Sequence, residues 1–266
     1  MYRVRKLDIE IDDTYSECIT FGTGKKKLIL IPGVGEGLIT FKGKAIPFSI
    51  LYRTFAKKYT VYVFSRRRDM KEGFSTKDMA NDIIKHMEKL KIKEANVVGV
   101  SQGGMIAQYV AINAPEKVKK LVLVVTTARS NDILKETIED WIEKAKNKDY
   151  KGIMVDTAER SYTGKYLNKS RKLYKLMGMM GKNALYDRFI IEANSCLNHN
   201  SYNELNKIKC PTLIIGAKLD KALGIIGSEE LSKKIKNSEL YIYEEYSHGV
   251  YEQAKDFNDR IKKFLK

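Results

Sequence analysis

The stretch of this chain best suited to chemistry is Val97-Val98-Gly99-Val100-Ser101-Gln102-Gly103-Gly104, an apolar run that leads into a serine with a glycine two residues away on either side. A helical pattern follows directly, so Ser101 belongs at a strand-to-helix turn. Such a turn is sharp. Flanking glycines let strand and helix pass close together while the hydroxyl projects out of the sheet. The helix beyond it presents unpaired N–H groups and the positive end of its dipole, which suits a developing oxyanion. A serine placed there becomes a nucleophile once a base takes its proton and an acid orients that base.

The chain holds three histidines, so candidates for the base are few. His86 falls inside an amphipathic helical stretch and reads as an ordinary helix residue. His199 lies in an Asn- and Ser-rich stretch and reads as a surface loop. His248 follows an apolar strand run and precedes the last helix, which brings it to the sheet edge that carries Ser101. His248 is the expected base. Asp220, just after another apolar run, is the expected orienting acid, and the chain order Ser101, Asp220, His248 fits this architecture. Asp132 is the runner-up acid, because the run before it ends on the same edge.

Oxyanion stabilisation is assigned to two backbone N–H groups. One is that of Gln102, next to the nucleophile, and the other that of Val34 in Pro32-Gly33-Val34-Gly35-Glu36-Gly37. These glycines also invite a dinucleotide-binding reading. The G-x-G-x-x-G pattern would need glycine at position 38, which is Leu38, so that reading fails. The expected chemistry calls for no metal and no cofactor.

The elements that must hold these groups follow from periodicity. LILIP (28–32), VYVF (61–64), VVGV (97–100), LVLVV (121–125) and TLIIG (212–216) are apolar on both faces, as parallel strands covered by helices are. The segments from Arg3 to Ile11 and from Tyr15 to Phe21 alternate like half-exposed strands. Thr76 to Leu90 carries Met79, Ile83, Met87 and Leu90 at helical spacing, with Ser75 as its N-cap. Gln102 to Asn113 is a second helix, stopped by Ala114-Pro115. After the insertion described next come a helix near Ser228 to Ile235, a strand LYIY (240–243) and a terminal helix near Glu252 to Phe264. The whole reads as an α/β protein with a doubly wound, mostly parallel sheet. The rhythm is interrupted from 128 to 206 by a polar, helical stretch rich in Lys, Tyr and Met. That stretch is expected to be a helical cap insertion between two parts of one core, 1–127 and 207–266. Met177, Met180 and Tyr186 in it, together with Gly33, are expected to contact substrate.

The chain has 266 residues and a formal net charge of +16, which first suggests a polyanion partner. Only 11 of the 49 basic residues are Arg, and the lysines are spread along the chain rather than gathered in one stripe. No nucleic-acid-binding signature accompanies them. No nucleic-acid partner is expected. Arg66, Arg67 and Arg68 read as a charged loop that attracts an anionic substrate or is simply solvated. Three widely spaced cysteines, Cys18, Cys196 and Cys210, form neither a disulfide framework nor a zinc pattern, which suits a reducing compartment. The N-terminal residues lack a secretory pattern, and no apolar run is long enough to span a bilayer. A cytoplasmic location and no integral membrane association are expected.

These features together resemble the α/β-hydrolase fold superfamily, in particular capped bacterial serine hydrolases of carboxylesterase-like and lysophospholipase-like type. The resemblance rests on the elbow at Ser101, the G-x-x-x-D loop ending at Asp220, and His248 before the final helix. Residues 66–75 also resemble the family's Asp-x-Arg-Gly-x-Gly-x-Ser loop, with Ser65 in place of the Asp, and Pro32-Gly33 stands where many members have His-Gly. The resemblance implies acyl transfer from a small-molecule ester to water through a Ser-His-Asp triad. The same fold supports carbon–carbon bond hydrolysis, cofactor-free lyase chemistry and perhydrolysis, and a ligand-binding protein without turnover is the alternative of another class.

Overall fold

The computed structural model describes residues 4–39, 45–179, 181 and 183–266. Eight strands form one sheet in the order β1-β2-β4-β3-β5-β6-β7-β8. They are β1 (Arg5–Ile11), β2 (Thr14–Phe21), β3 (Lys26–Ile31), β4 (Tyr59–Arg67), β5 (Ala95–Val100), β6 (Val118–Val124), β7 (Thr212–Ala217) and β8 (Ser238–Tyr243). The pairs β1·β2 and β2·β4 are antiparallel, and every other pair is parallel. The apolar runs therefore became the parallel strands, and the alternating segments became the antiparallel edge.

The in-register rows explain why the runs are apolar throughout. Ile29 is opposite Val97, and Leu28 is opposite Val61. Alternate residues then enter opposite cores. Ile29, Val97, Leu121 and Ile214 pack with Met79, Ile83 and Met87 of α2 (Thr76–Lys89) and with Ile106 and Val110 of α3 (Gln102–Asn113). Leu28, Val61, Val98, Val122 and Leu213 face the other way. There they meet Ala45 of α1 (Ala45–Leu51), Val250 of α9 (Val250–Gln253), and Phe257 and Ile261 of α10 (Phe257–Phe264). Burial on both faces at roughly 25 cal/mol per Å² of apolar surface makes this sheet the main source of stability.

Helix α2 starts on the expected cap. Ser75 Oγ accepts from the Asp78 N–H at 3.2 Å, and Asp78 Oδ2 accepts from the Ser75 N–H at 2.9 Å. This reciprocal pair satisfies two otherwise free donors. Between β6 and β7, α4 (Asp132–Lys146), α5 (Tyr150–Ser161), α6 (Gly164–Gly178) and α7 (Tyr186–Leu197) form the helical segment. Its ends meet at an antiparallel bridge between Arg129 and Asn200 and at a Ser201 N–H bond to Ala128 O of 2.8 Å. Leu134, Ile138 and Trp141 of α4 and Phe189 and Ala193 of α7 pack on Val34, Leu38, Met105, Ala222 and Leu223. The helical segment thus rests on the loops at the strand ends.

Several expectations are corrected. The terminal helix is two helices, α9 and α10, because Ala254 between them is extended (φ −79°, ψ 120°). The helix near Ser228 is α8 (Ile226–Lys234) and starts earlier. The stretch after β3 forms a short 3-10 turn, Val34–Glu36, that periodicity does not reveal. Strand β4 runs through Arg67, so Arg66 is a strand residue 5% exposed, not part of a solvated loop. Arg67 is held by Asp82 and Asp12, at 2.6 Å and 2.9 Å. Among the described residues, no helix is long and apolar enough to cross a membrane.

Candidate active site

Ser101 stands between β5 and α3 with φ 56° and ψ −123°, backbone angles that a residue with a side chain rarely adopts. The strain is held by the neighbours. Its N–H donates to Val124 O at 2.9 Å, and its carbonyl accepts from the Gly104 N–H at 2.8 Å and the Thr126 hydroxyl at 2.7 Å. Glycine is required on both sides. A Cβ on Gly99 would lie 2.3 Å from Gly103 O, and one on Gly103 would lie 1.9 Å from Ile31 O. The elbow is therefore packed against both its own helix and the end of β3.

Asp220 and His248 leave the ends of β7 and β8, and the structure brings them together. His248 Nδ1 lies 2.9 Å from Asp220 Oδ2, and both residues are buried. The other carboxylate oxygen, Oδ1, accepts the N–H groups of Ala222 at 2.8 Å and Leu223 at 3.0 Å. The carboxylate is thereby fixed in orientation by its own loop. Asp132 takes no part in this pair: it is exposed in the first turn of α4, beside the N-cap Asn131. The two loops are joined by Ser247, whose Oγ donates to Arg160 O and accepts the Lys221 N–H at 3.2 Å. Among the described residues, the Ser101 hydroxyl makes no hydrogen bond to the His248 ring.

Gly33 approaches the elbow closely. A Cβ there would be 3.3 Å from Ser101 Cβ and 3.7 Å from Ser101 Oγ, so this loop lines the space in front of the hydroxyl. Val34 opens the 3-10 turn and Gln102 opens α3. Both therefore carry N–H groups of the kind that has no partner within its own helix.

Behind these two loops lies a group of buried charges that the sequence did not disclose. Arg66, Arg188, Glu36 and Glu192 are all buried. Arg188 Nη2 donates to both Glu36 oxygens at 2.9 Å and 2.8 Å, and its Nη1 donates to Glu36 O at 2.9 Å. Glu192 Oε1 is 3.3 Å from Arg188 Nη1, and Glu192 Oε2 is 3.7 Å from Arg66 Nε. Burial acts to raise the Glu36 carboxyl, but Arg188 and Arg66 outweigh it and hold it below the usual range. For Glu192 burial prevails over the same two cations and pushes the carboxyl up to about 8. Sequence offers one faint signal, the four-residue spacing of Arg188 and Glu192 on a helix.

The other expected positions are varied. Met177 is half-buried on α6, and Met180 lies outside the described residues. Tyr186 packs against the α4–α7 cluster and gives its hydroxyl to Lys148 O at 2.9 Å. His199 is not on a surface loop: it is 2% exposed, with Nδ1 2.9 Å from Thr76 Oγ1 and its ring edge-on to Tyr109. His86 is fully buried and stacks on Phe64, with ring centroids 5.1 Å apart.

Comparison with known proteins identifies the family and the fold. The family described as alpha/beta hydrolase fold matches residues 28–255. The chain belongs to that family. It is similar to the serine hydrolase BPHL of Mus musculus, 25% identical over 261 residues, which covers 92% of this chain and 80% of that protein. In fold it is similar to MGS-M2, an alpha/beta hydrolase enzyme from a Medee basin deep-sea metagenome library. There the TM-score is 0.84 at 21% identity, with 97% of each chain covered. It is likewise similar to the esterase EaEST of Exiguobacterium antarcticum, with a TM-score of 0.82 at 19% identity over 98% of this chain and 99% of that one. Hydrolases are thus its relatives, and a hydrolase is the class that fold and family define.

Proposed function

We propose that this chain is a serine hydrolase that cleaves a small or acyl carboxylic ester by way of an acyl-enzyme. The observation that carries the reading is the Asp220–His248 pair at 2.9 Å, on the strand edge where Ser101 occupies the strained turn. In this reaction His248 Nε2 takes the Ser101 proton as Oγ attacks the ester carbonyl. The Nδ1–H of the ring keeps donating to Asp220 Oδ2, and the carboxylate fixes the tautomer and stabilises the imidazolium. The N–H groups of Val34 and Gln102 receive the oxyanion. The imidazolium then gives its proton to the departing alcohol. Water, deprotonated by the same ring, attacks the acyl carbonyl and releases the acid and Ser101. The helical segment over the strand ends acts as a cap that excludes water and shapes the acyl pocket, with Gly33 and Met177 in contact with substrate.

Ester preference is supported by the triad-like order of groups and by esterases among structures of this fold. The test is a fluorophosphonate probe applied to folded protein, followed by a chain-length series of p-nitrophenyl esters with wild type and Ser101→Ala. Labelling at Ser101 and turnover lost in the variant are the expected results. Ester turnover that survives in Ser101→Ala would overturn the reading. Probe labelling with no ester turnover, alongside cleavage of a ketone panel, would assign the same groups to carbon–carbon bond chemistry.

A further inference from the structure

The two N–H groups assigned to the oxyanion come from different loops, and one buried guanidinium spans them. Arg66 Nη2 donates to Pro32 O at 2.5 Å and to Gln102 Oε1 at 2.8 Å. Pro32 lies two residues before Val34, and Gln102 itself carries the second N–H. The backbone of Arg66 joins the same arrangement, since its N–H donates to Glu36 Oε2 at 3.3 Å, and Glu36 belongs to the 3-10 turn that Val34 opens. From the other side, Gln102 Nε2 donates to Glu192 O at 2.7 Å and to Ser195 Oγ at 3.1 Å. Arg188, one helical turn before Glu192, holds the Glu36 carboxylate and carbonyl. The contacts close a ring: β3 loop, Arg66, elbow, α7, Arg188 and back to the β3 loop.

A ring of this kind fixes a distance. The Gln102 side chain has both ends engaged, so the first residue of α3 cannot shift without breaking bonds to Arg66 or to α7. The Pro32 carbonyl is gripped by the same nitrogen, so the loop that carries Val34 cannot move away from the elbow independently. The Glu36 carboxylate, 3.9 Å from Arg66 Nη1, offsets part of the cost of burying that guanidinium, and the Glu192 carboxyl lies 3.7 Å from its Nε. Both contacts, to Pro32 O and to Gln102 Oε1, are made by one nitrogen, Nη2, at the tip of a planar group, and a lysine ammonium on its flexible stem does not hold that position.

The geometry points to Arg66 as a positioning residue that sets the separation of the Val34 and Gln102 N–H groups and so acts on the transition state rather than on substrate binding. This rests on the oxyanion assignment of the proposed function. Donors displaced by about 1 Å lose roughly 100-fold in rate, and a lost donor costs 100- to 1000-fold, so slackening the ring should lower kcat about 10- to 100-fold.

The experiment uses full-length Arg66→Lys, which keeps the buried charge, and Gln102→Met, which removes the acceptor at the other end without disturbing any charge. Each is measured with p-nitrophenyl butyrate for kcat and KM, with phenylboronic acid as a mimic of the tetrahedral anion, and by thermal melting. The expected result is a kcat lowered about 10- to 100-fold in both variants with KM unchanged. Boronate affinity should weaken in proportion, and the double variant should be no slower than the slower single one. Full kcat and boronate affinity in both variants, with only melting temperature reduced, would overturn the proposal. A loss confined to KM would do the same. Should Arg66→Lys fail to fold, Gln102→Met decides alone: normal kcat in it refutes the positioning role. Failure of the underlying reading is separately visible, because wild type would then not be labelled at Ser101 by a fluorophosphonate.

Discussion

Asp220 Oδ2 lies 2.9 Å from His248 Nδ1, while the partner oxygen Oδ1 is engaged by the N–H groups of Ala222 and Leu223. One carboxylate oxygen is spent on holding the loop and the other on the imidazole. The carboxylate therefore cannot rotate to offer another face, and the ring is held with its Nδ1 side turned to Oδ2. A backbone-anchored acceptor is what the proposed role of orienting acid asks of Asp220.

Replacing that carboxylate by an amide tests the point. Asp220→Asn keeps the size and offers an amide to Nδ1, which favours the wrong tautomer. Catalysis should then fall about 1000- to 10,000-fold in kcat with little change in KM. Asp132→Asn, at an exposed position in the first turn of α4, should leave kcat unchanged. Steady-state kinetics of the two variants side by side make the check, and equal losses in both would contradict the assignment.

Ser247 couples the loop that carries Asp220 to the loop that carries His248. Its hydroxyl, fully buried, bridges Arg160 O and the Lys221 N–H, so it sits between the neighbours of His248 and Asp220. Ser247→Ala strands a buried donor and acceptor, which should cost about 1–3 kcal/mol of stability. The loosened pair should also lower kcat by roughly 10-fold. Urea unfolding and kinetics on the same preparation give both numbers. Unaltered kcat with reduced stability would make Ser247 a purely structural residue.

How much of this was legible depended on whether a residue's environment leaves a trace in its neighbours. The parallel strands were readable because burial on both faces demands apolar residues at every position, as at Leu28 to Ile31 and Val97 to Val100. Helix α3 was readable to its ends because Gly103 and Ala114-Pro115 mark them. The break at Ala254 was not, since Val250, Ala254, Phe257 and Ile261 keep helical spacing whether or not the helix is continuous. The charged ring was hidden for a different reason. Arg66, Arg188, Glu36 and Glu192 come from a strand, a helix and a turn, and each alone reads as a solvated charge; only the fold shows that they are buried against one another. His199 misled in the same way, because its polar neighbours suggested a surface while its ring packs under Tyr109.

Gly103 predicts the largest effect on stability. A Cβ there meets the backbone of Ile31 and Pro32 at 1.9 Å and 2.6 Å, and backbone atoms at the end of a central strand cannot move aside as a flexible side chain would. Gly103→Ala should cost about 3 kcal/mol or more, or prevent folding. Gly35→Ala is the control, since nothing lies within 4 Å of its would-be Cβ and its φ is not positive. It should be neutral or stabilising by about 0.5 kcal/mol through the unfolded chain. Chemical denaturation of both variants gives the comparison, and a Gly103→Ala protein of native stability would show that the elbow is not close-packed.

The acid limb of stability should report on His86. Burial lowers its pKa from 6.5 to about 4, with Arg67 and Lys89 acting in the same direction, and the ring has no hydrogen-bond partner among the described residues. A histidine depressed in the folded state binds its proton first in the unfolded chain. Its contribution is therefore complete above pH 6.5 and is lost as pH falls toward 4, with a slope of up to about 1.4 kcal/mol per pH unit. His199, lowered to about 3 by burial, adds in the same direction. Glu192, raised to about 8, works the other way between 4.5 and 8, because the folded state holds its proton there and gains as pH falls. The informative quantity is thus the difference between wild type and His86→Leu, in which the other groups cancel. Urea unfolding from pH 7 down to pH 4 should show the wild type losing stability more steeply than the variant, by up to one proton. Parallel curves would mean that His86 is protonated alike in both states and is not sealed against Phe64 as the structure has it.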